Sequence, residues 1–207
     1  SGGVDCSDHE VNIKILLGGV VRAGELSLEE RNTLLAEMTD EVGTLVLRGN
    51  YAQGQVLKMM QEGAGRALAE HAALLRRLVQ AGRLNRELEF LPSDEEIAER
   101  RAAGRGLVAP ELAVLLAYAK IELYDEVLAS EVPDDPWVAT ALWEYFPQPL
   151  RERFSDAIGN HPLRREIIAT QVVNEMVNRL GASFVDRIRA ETGRAAPDIV
   201  RAYLAAR

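Results

Sequence analysis

The stretch Ala109-Pro110-Glu111-Leu112-Ala113-Val114-Leu115-Leu116-Ala117-Tyr118-Ala119-Lys120-Ile121-Glu122-Leu123-Tyr124-Asp125-Glu126-Val127-Leu128 decides the fold class. Proline stands at the first helical position, where its missing N–H costs nothing. A glutamate follows in the first turn, where the helix dipole favours negative charge. The apolar residues, from Leu112 through Leu115, Leu116, Ile121 and Leu123 to Leu128, lie almost all round the cylinder. That distribution predicts a helix at the centre of the protein.

Outward from it the same punctuation recurs. Ser93-Asp94-Glu95-Glu96 and Ser27-Leu28-Glu29-Glu30 are S-x-x-E capping boxes, and Ser7 with Glu10 has the same form. The box at Ser7 predicts a helix over about 8–23, closed by Gly24. The pair Gly18-Gly19 weakens that helix by about 1 kcal/mol per glycine and offers room for another backbone. Ser27 starts a helix to about Met38. Thr39-Asp40-Glu41 starts another to near Glu62, with Gly49-Asn50 and Gly54 as points of bending. Leu68, Ala72, Leu75, Leu78 and Val79 mark one face of a helix stopped by Gly82. Arg83 to Pro92 reads equally as a short helix or an extended connector.

On the C-terminal side, Val132-Pro133-Asp134-Asp135-Pro136 is a turn. A helix carrying Trp137, Val138, Leu142, Trp143 and Phe146 follows, then one from Pro149 through Phe154 to Gly159. A long helix runs from His161-Pro162 to Leu180 with Gly181 as its cap. Short helices around Phe184–Ile188 and over Pro197–Ala206 complete the chain. The expectation is an all-α fold, an irregular multi-helix bundle of about ten helices joined by short connections. No fixed-period repeat indicates a solenoid.

Composition narrows the function classes. Of 207 residues, 47% are apolar and 27% charged, as in ordinary globular proteins, and the net charge is −8. Excess negative charge repels phosphate backbones, which argues against nucleic acid as a partner. The single cysteine cannot close an internal disulfide, so a reducing, cytoplasmic setting is expected. No apolar run reaches the roughly 18 residues of a membrane span, and no signal peptide is visible. The chain opens on Ser-Gly-Gly without methionine, which reads as a fragment or processed product.

Chemistry concentrates at the head, Ser1-Gly2-Gly3-Val4-Asp5-Cys6-Ser7-Asp8-His9-Glu10. Asp5, Cys6, Asp8, His9 and Glu10 are metal-ligand types, but their spacing matches no zinc pair, and Asp8, His9 and Glu10 would point in different directions on a helix. Cys6 is a conceivable nucleophile with His9, His71 or His161 as base, although nothing selects among them. A glycine pair feeding a helix N-terminus can bind an anion, with the Ser7 hydroxyl free to donate a proton to a carboxylate. Against all three stands an ordinary helix cap behind flexible glycines, which on the residues alone is the weightier reading. His161-Pro162-Leu163-Arg164-Arg165-Glu166 puts three basic residues at a helix start, against the dipole. It reads as a solvated first turn or a surface for an acidic partner. Trp137, Trp143, Tyr145 and Phe146 read as core, with an interface as the lesser alternative.

The head, continued through Val11-Asn12-Ile13-Lys14-Ile15-Leu16, resembles the end of the catalytic domain in the large NAD-specific glutamate dehydrogenases of bacteria. The resemblance continues through Gly82-Arg83-Leu84-Asn85-Arg86, Leu88-Glu89-Phe90-Leu91-Pro92 and Pro110-Glu111-Leu112-Ala113-Val114-Leu115-Leu116-Ala117-Tyr118. It then covers Pro133-Asp134-Asp135-Pro136, Tyr145-Phe146-Pro147, His161-Pro162-Leu163-Arg164-Arg165-Glu166-Ile167-Ile168-Ala169-Thr170 and Val177-Asn178-Arg179. It implies that residues 1–24 are the tail of a catalytic, dinucleotide-binding domain and residues 25–207 a C-terminal helical domain. The smaller hexameric glutamate dehydrogenases carry a similar Gly-Gly-Val-x-x-Ser. There the valine lines the substrate pocket and the serine hydroxyl holds the side-chain carboxylate. The matching positions are Val4 and Ser7; Asp8-His9 departs from the aromatic pair usual there.

The resemblance thus implies a substrate contact at Ser7 and Val4, and no catalytic, cofactor or metal residue in this chain. NAD and the catalytic lysine and aspartate would belong upstream. The whole enzyme would oxidise L-glutamate to 2-oxoglutarate and ammonium. Its helical part would pack on its own catalytic domain and on other subunits of a homo-oligomer, with neither nucleic acid nor membrane as partner. This polypeptide alone would be inactive. The alternative is a non-catalytic helical interaction module with no substrate site.

Overall fold

The computed structural model describes residues 2–206; Ser1, the first residue of the head, and Arg207 lie outside the described residues. Among the described residues there are twelve α-helices, ten of seven residues or more, and no strand, so the all-α expectation is met. No helix among them is long and apolar enough to cross a membrane. The chain divides into two compact units. One comprises the residues up to Tyr51 with Pro133–Val172, the other Ala52–Val132 with Val173 onward.

The first unit opens with α1 (Gly2–Arg22), which packs beside α2 (Leu28–Glu37) and α9 (Ser155–Gly159). Helix α1 buries Ile13, Leu16, Leu17 and Val20, spaced by threes and fours along one stripe. It starts six residues earlier than the capping box at Ser7 predicts. Gly2-Gly3 does not break the helix and Val4 to Cys6 continue it, leaving Ser7 in the second turn. There its backbone is helical, whereas a capping serine needs extended backbone. Glu10, freed from the box, pairs with Lys14 one turn on. Helix α1 ends as expected. Gly24 adopts φ +78°, Glu25 N–H donates to the Val20 carbonyl and Gly24 N–H to that of Val21, forming a Schellman motif. No backbone approaches Gly19, whose Cβ position has nothing within 4 Å.

The Ser27 box forms in full. The Ser27 hydroxyl accepts from Glu30 N–H at 3.1 Å and Glu30 accepts from Ser27 N–H at 2.9 Å. Helix α3 (Thr39–Gly63) runs unbroken past Gly49 and Gly54 and contributes residues to both units. The chain makes 3₁₀ turns at Val132–Asp134 and Pro136–Val138, so α7 (Ala139–Tyr145) begins later than the aromatic spacing predicts. Tyr145 and Phe146 are buried, but Trp137 is 80% exposed. The helix expected from Pro149 to Gly159 is two, α8 (Gln148–Arg153) and α9, because Phe154 leaves helical geometry at φ −132°. Helix α10 (Arg164–Leu180) follows.

In the second unit α4 (Leu68–Gln80), α5 (Asp94–Ala102) and α6 (Ala109–Leu128) pack together, with α11 (Phe184–Thr192) and α12 (Ala196–Ala206) completing it. The Ser93 box forms with Glu96. Glycines at positive φ terminate helices at Gly82, Gly104, Gly181 and Gly193. Helix α6 is buried along one side only: Leu112, Leu115, Leu116 and Leu123 face inward while Ile121 is 52% exposed. Its first-turn Glu111 accepts from Val108 N–H at 2.8 Å and takes a bidentate bond from Arg100 at 2.6 and 2.8 Å. Arg83 to Pro92 is neither helix nor extended connector but a folded turn. The Asn85 side-chain oxygen accepts from Glu87 and Leu88 N–H, and Phe90 sits at φ +53°, 90% exposed.

The loop after α3 lies directly on the loop after α5. A Cβ on Gly106 would stand 2.2 Å from the Ala64 carbonyl carbon, a distance no relaxation of a flexible side chain can relieve. Gly106→Ala should therefore destabilise the protein by about 3 kcal/mol or more, the upper range of overpacking costs. Gly19→Ala, in open space mid-helix, should stabilise it by about 1 kcal/mol. Thermal melts of both variants check the pair.

Candidate functional site

The inner face of α1 carries more than leucine and valine. His9 lies on the same stripe as Ile13, one turn before it, and is buried. Its ring stacks on Tyr145 from α7, with centroids 4.2 Å apart and planes 15° off parallel. The Tyr145 hydroxyl donates to Asp8 Oδ2 at 2.7 Å and accepts from Asn12 Nδ2 at 2.8 Å. Asn12 Nδ2 also donates to Asp8 Oδ1 at 3.2 Å. The amide nitrogen only donates, so the hydroxyl accepts from Asn12 and turns its own hydrogen to the Asp8 carboxylate. Burial pushes the Tyr145 phenol far above its ordinary pKa, so it remains a donor at any physiological pH.

Behind this triangle, Phe146 meets the Tyr145 ring edge-on at 5.1 Å and packs against His161 at 5.6 Å. His161 is 2% exposed, so the solvated-turn reading of His161-Pro162 is wrong for the histidine. Its Nδ1 accepts from Leu163 N–H at 3.1 Å and must be unprotonated; Nε2 therefore carries the hydrogen and donates to the Asn12 carbonyl at 3.1 Å. Neutral, it does not oppose the α10 dipole. The two arginines behind it both bind Asp134.

Val4 and Ser7 lie on the outer side of the same helix. Both are exposed, Val4 by 74%, and three residues of spacing place them on one face. The Ser7 hydroxyl has no hydrogen-bond partner among the described residues. The anion reading that depended on a helix N-terminus at Ser7 falls, because the free N–H groups of α1 lie before it. Cys6 is exposed rather than packed away. Neither proposed base in this unit serves it: His9 is held under Tyr145, and both nitrogens of His161 are engaged. His71 belongs to the other unit. Asp8 and His9 tie α1 to Tyr145, the first by a hydrogen bond and the second by packing. The spacing of His9, Ile13, Leu16 and Val20 marked the histidine as inward; nothing in sequence marked Tyr145 as its partner.

The second unit has a different polar feature. On α6, Glu122, Asp125 and Glu126 face arginines from neighbouring elements. Arg77 binds Glu122, and also Asp186 at 2.7 Å, Arg83 binds Asp125, and Arg189 binds Glu126 at 2.8 and 2.9 Å. Hydrogen bonding to Glu122 raises the Arg77 guanidinium above its usual value, so it stays charged. This belt fastens α4 and α11 to α6. Each arginine in it is matched by a carboxylate, which suits structure better than ligand capture.

Burial lowers the pKa of His9, His71 and His161. An unfolded chain takes protons on these rings at about pH 6.5 while the fold resists them, so stability is complete above that pH and lost as pH falls below it. The melting temperature of the polypeptide should drop between pH 7.5 and pH 5.5. His161→Gln should flatten part of that drop. A pH-independent melting temperature would refute the assignment of neutral buried histidines.

Comparison with known proteins places this geometry in a family. The chain is 50% identical over all 207 residues to an NAD-specific glutamate dehydrogenase of Pseudomonas aeruginosa. It is 48% identical over 207 residues to that of Halomonas elongata and 48% over 205 residues to that of Mycobacterium tuberculosis. It spans 13% of the length of each of these relatives. Residues 1–60 match the family described as bacterial NAD-glutamate dehydrogenase, catalytic domain. Residues 104–207, half of the chain, match the one described as glutamate dehydrogenase, C-terminal, and it is to this glutamate dehydrogenase family that the chain belongs.

Proposed function

We propose that this chain is a working part of an NAD-dependent glutamate dehydrogenase, in which the whole protein oxidises L-glutamate to 2-oxoglutarate and ammonium. The observation that carries the reading is the order of matches along one chain: a catalytic-domain match at residues 1–60, then a C-terminal-domain match at 104–207, with about half of all residues identical to NAD-specific glutamate dehydrogenases. NAD belongs to the part of such an enzyme outside this chain. A dinucleotide cradle needs a strand, a glycine-rich turn and a helix N-terminus, and the described residues contain no strand. The residues in hand do not fit the cofactor, and no step of the reaction runs through it here.

The contribution of the chain to the site is at Ser7 and Val4. An exposed hydroxyl one turn from an exposed valine suits a substrate with a carboxylate at the end of a short aliphatic arm. Ser7 O–H donates to the carboxylate and Val4 covers the methylenes. Under this reading residues 1–24 form the tail of the catalytic domain, and residues 25–207 form a helical domain that packs on that domain and on other subunits of a cytoplasmic homo-oligomer. The exposed Trp137 and Phe90 favour a second reading, a helical interaction module without substrate contact.

Ser7→Ala in the full-length enzyme separates the two. Loss of a hydrogen bond to a charged group, about 1.5 kcal/mol, should raise KM for glutamate by about tenfold and leave KM for NAD unchanged. An unaltered KM for glutamate would remove Ser7 from the site. The 207-residue polypeptide alone should show no glutamate-dependent reduction of NAD; turnover would overturn its assignment as an incomplete enzyme.

A further inference from the structure

We propose that Tyr145 is a positioning residue for the Ser7 hydroxyl, an inference that rests on the substrate-contact reading of Ser7 above. Along α1, no side chain from Gly3 to Asp8 is buried; His9 is the first that is. The first fixed point of the helix is therefore the grip of Tyr145, which takes Asp8 and Asn12 by hydrogen bonds and His9 by stacking. Ser7 is adjacent in sequence to Asp8 and sits on the turn that this grip holds. All of these residues belong to one compact unit.

The phenol does something that its ring alone cannot. Phenylalanine would fill the same volume and keep the stack on His9. The hydroxyl adds two directed bonds, to side chains one turn apart on α1, and these set the rotation of the helix about its axis. Rotation decides where a group on the opposite face points. A misplacement of about 1 Å at a substrate-binding group is enough to cost substantial rate or affinity. Tyr145 never touches substrate on this account; it acts through Ser7.

The test uses the full-length enzyme and the variants Tyr145→Phe, Asp8→Ala, Ser7→Ala and Ser7→Ala/Tyr145→Phe. Tyr145→Phe should raise KM for glutamate by about three- to tenfold while kcat and KM for NAD stay within about twofold, the pattern of lost binding rather than lost chemistry. Asp8→Ala removes the same bond from its other end without opening the core and should reproduce that rise. The double variant should be no worse than Ser7→Ala alone, because contacts that act in series do not add. A wild-type KM in both Tyr145→Phe and Asp8→Ala beside a raised KM in Ser7→Ala would overturn the positioning role and leave the Ser7 reading intact. Additive effects in the double variant would overturn it too. An unaltered KM in Ser7→Ala itself would refute the substrate contact, and the positioning role with it. Should Tyr145→Phe fold poorly, Asp8→Ala decides.

Discussion

Polar groups carried into a core need partners there, and the inner face of α1 in the first unit is where that demand is concentrated and met in part. His9 and Asn12 are buried together with Ile13, Leu16 and Leu17. An unmatched amide or imidazole at such depth costs a few kcal/mol. Tyr145 answers the Asn12 amide nitrogen and Asp8 with its hydroxyl and stacks on His9, while His9 Nδ1 and Asn12 Oδ1 find no hydrogen-bond partner among the described residues. His161 answers the Asn12 carbonyl with one nitrogen and the start of α10 with the other. Remove the phenol and the side-chain amide loses a partner; protonate the imidazole and the Leu163 N–H loses its acceptor. The buried histidines therefore make the fold conditional on pH, in a direction fixed by their burial.

The second unit uses charge instead. Its helices are terminated by left-handed glycines and tied laterally by arginine–carboxylate pairs along α6. Glu111 combines two tasks, stopping an orphan N–H at the start of α6 and taking the Arg100 guanidinium. Its most demanding contact is between backbones, where Gly106 meets Ala64 with no space for a side chain. That is a steric requirement of one atom, unlike the distributed apolar packing around it.

These arrangements bear on function through α1. One helix presents polar groups inward, where Tyr145 and His161 hold them, and Val4 with Ser7 outward, where a substrate arm would lie. An enzyme that contacts a small dicarboxylate through a single hydroxyl needs that hydroxyl held still, and helices hold side chains better than loops do. Under the proposed substrate contact, the grip on Asp8 and Asn12 would steady the turn that carries Ser7.

Much was legible from residues alone. The Ser27 and Ser93 boxes, the glycine caps at Gly24, Gly82 and Gly181 and the proline start of α6 are encoded within a few residues, because caps and turns satisfy their own hydrogen bonds locally. For the same reason the all-α class and the family resemblance could be read without coordinates. Local form also misled: Ser7 and Glu10 spell a capping box, but the helix already begins at Gly2 and runs through them. What only the tertiary structure decided was which polar residues meet one another. Asp8 and His9 meet Tyr145 across more than a hundred residues of chain, and Asn12 meets His161 across 149. No spacing rule spans such distances. A capping serine is stabilised by its own turn, whereas the buried His161 imidazole depends on a distant element, α1, for the acceptor of its Nε2 hydrogen.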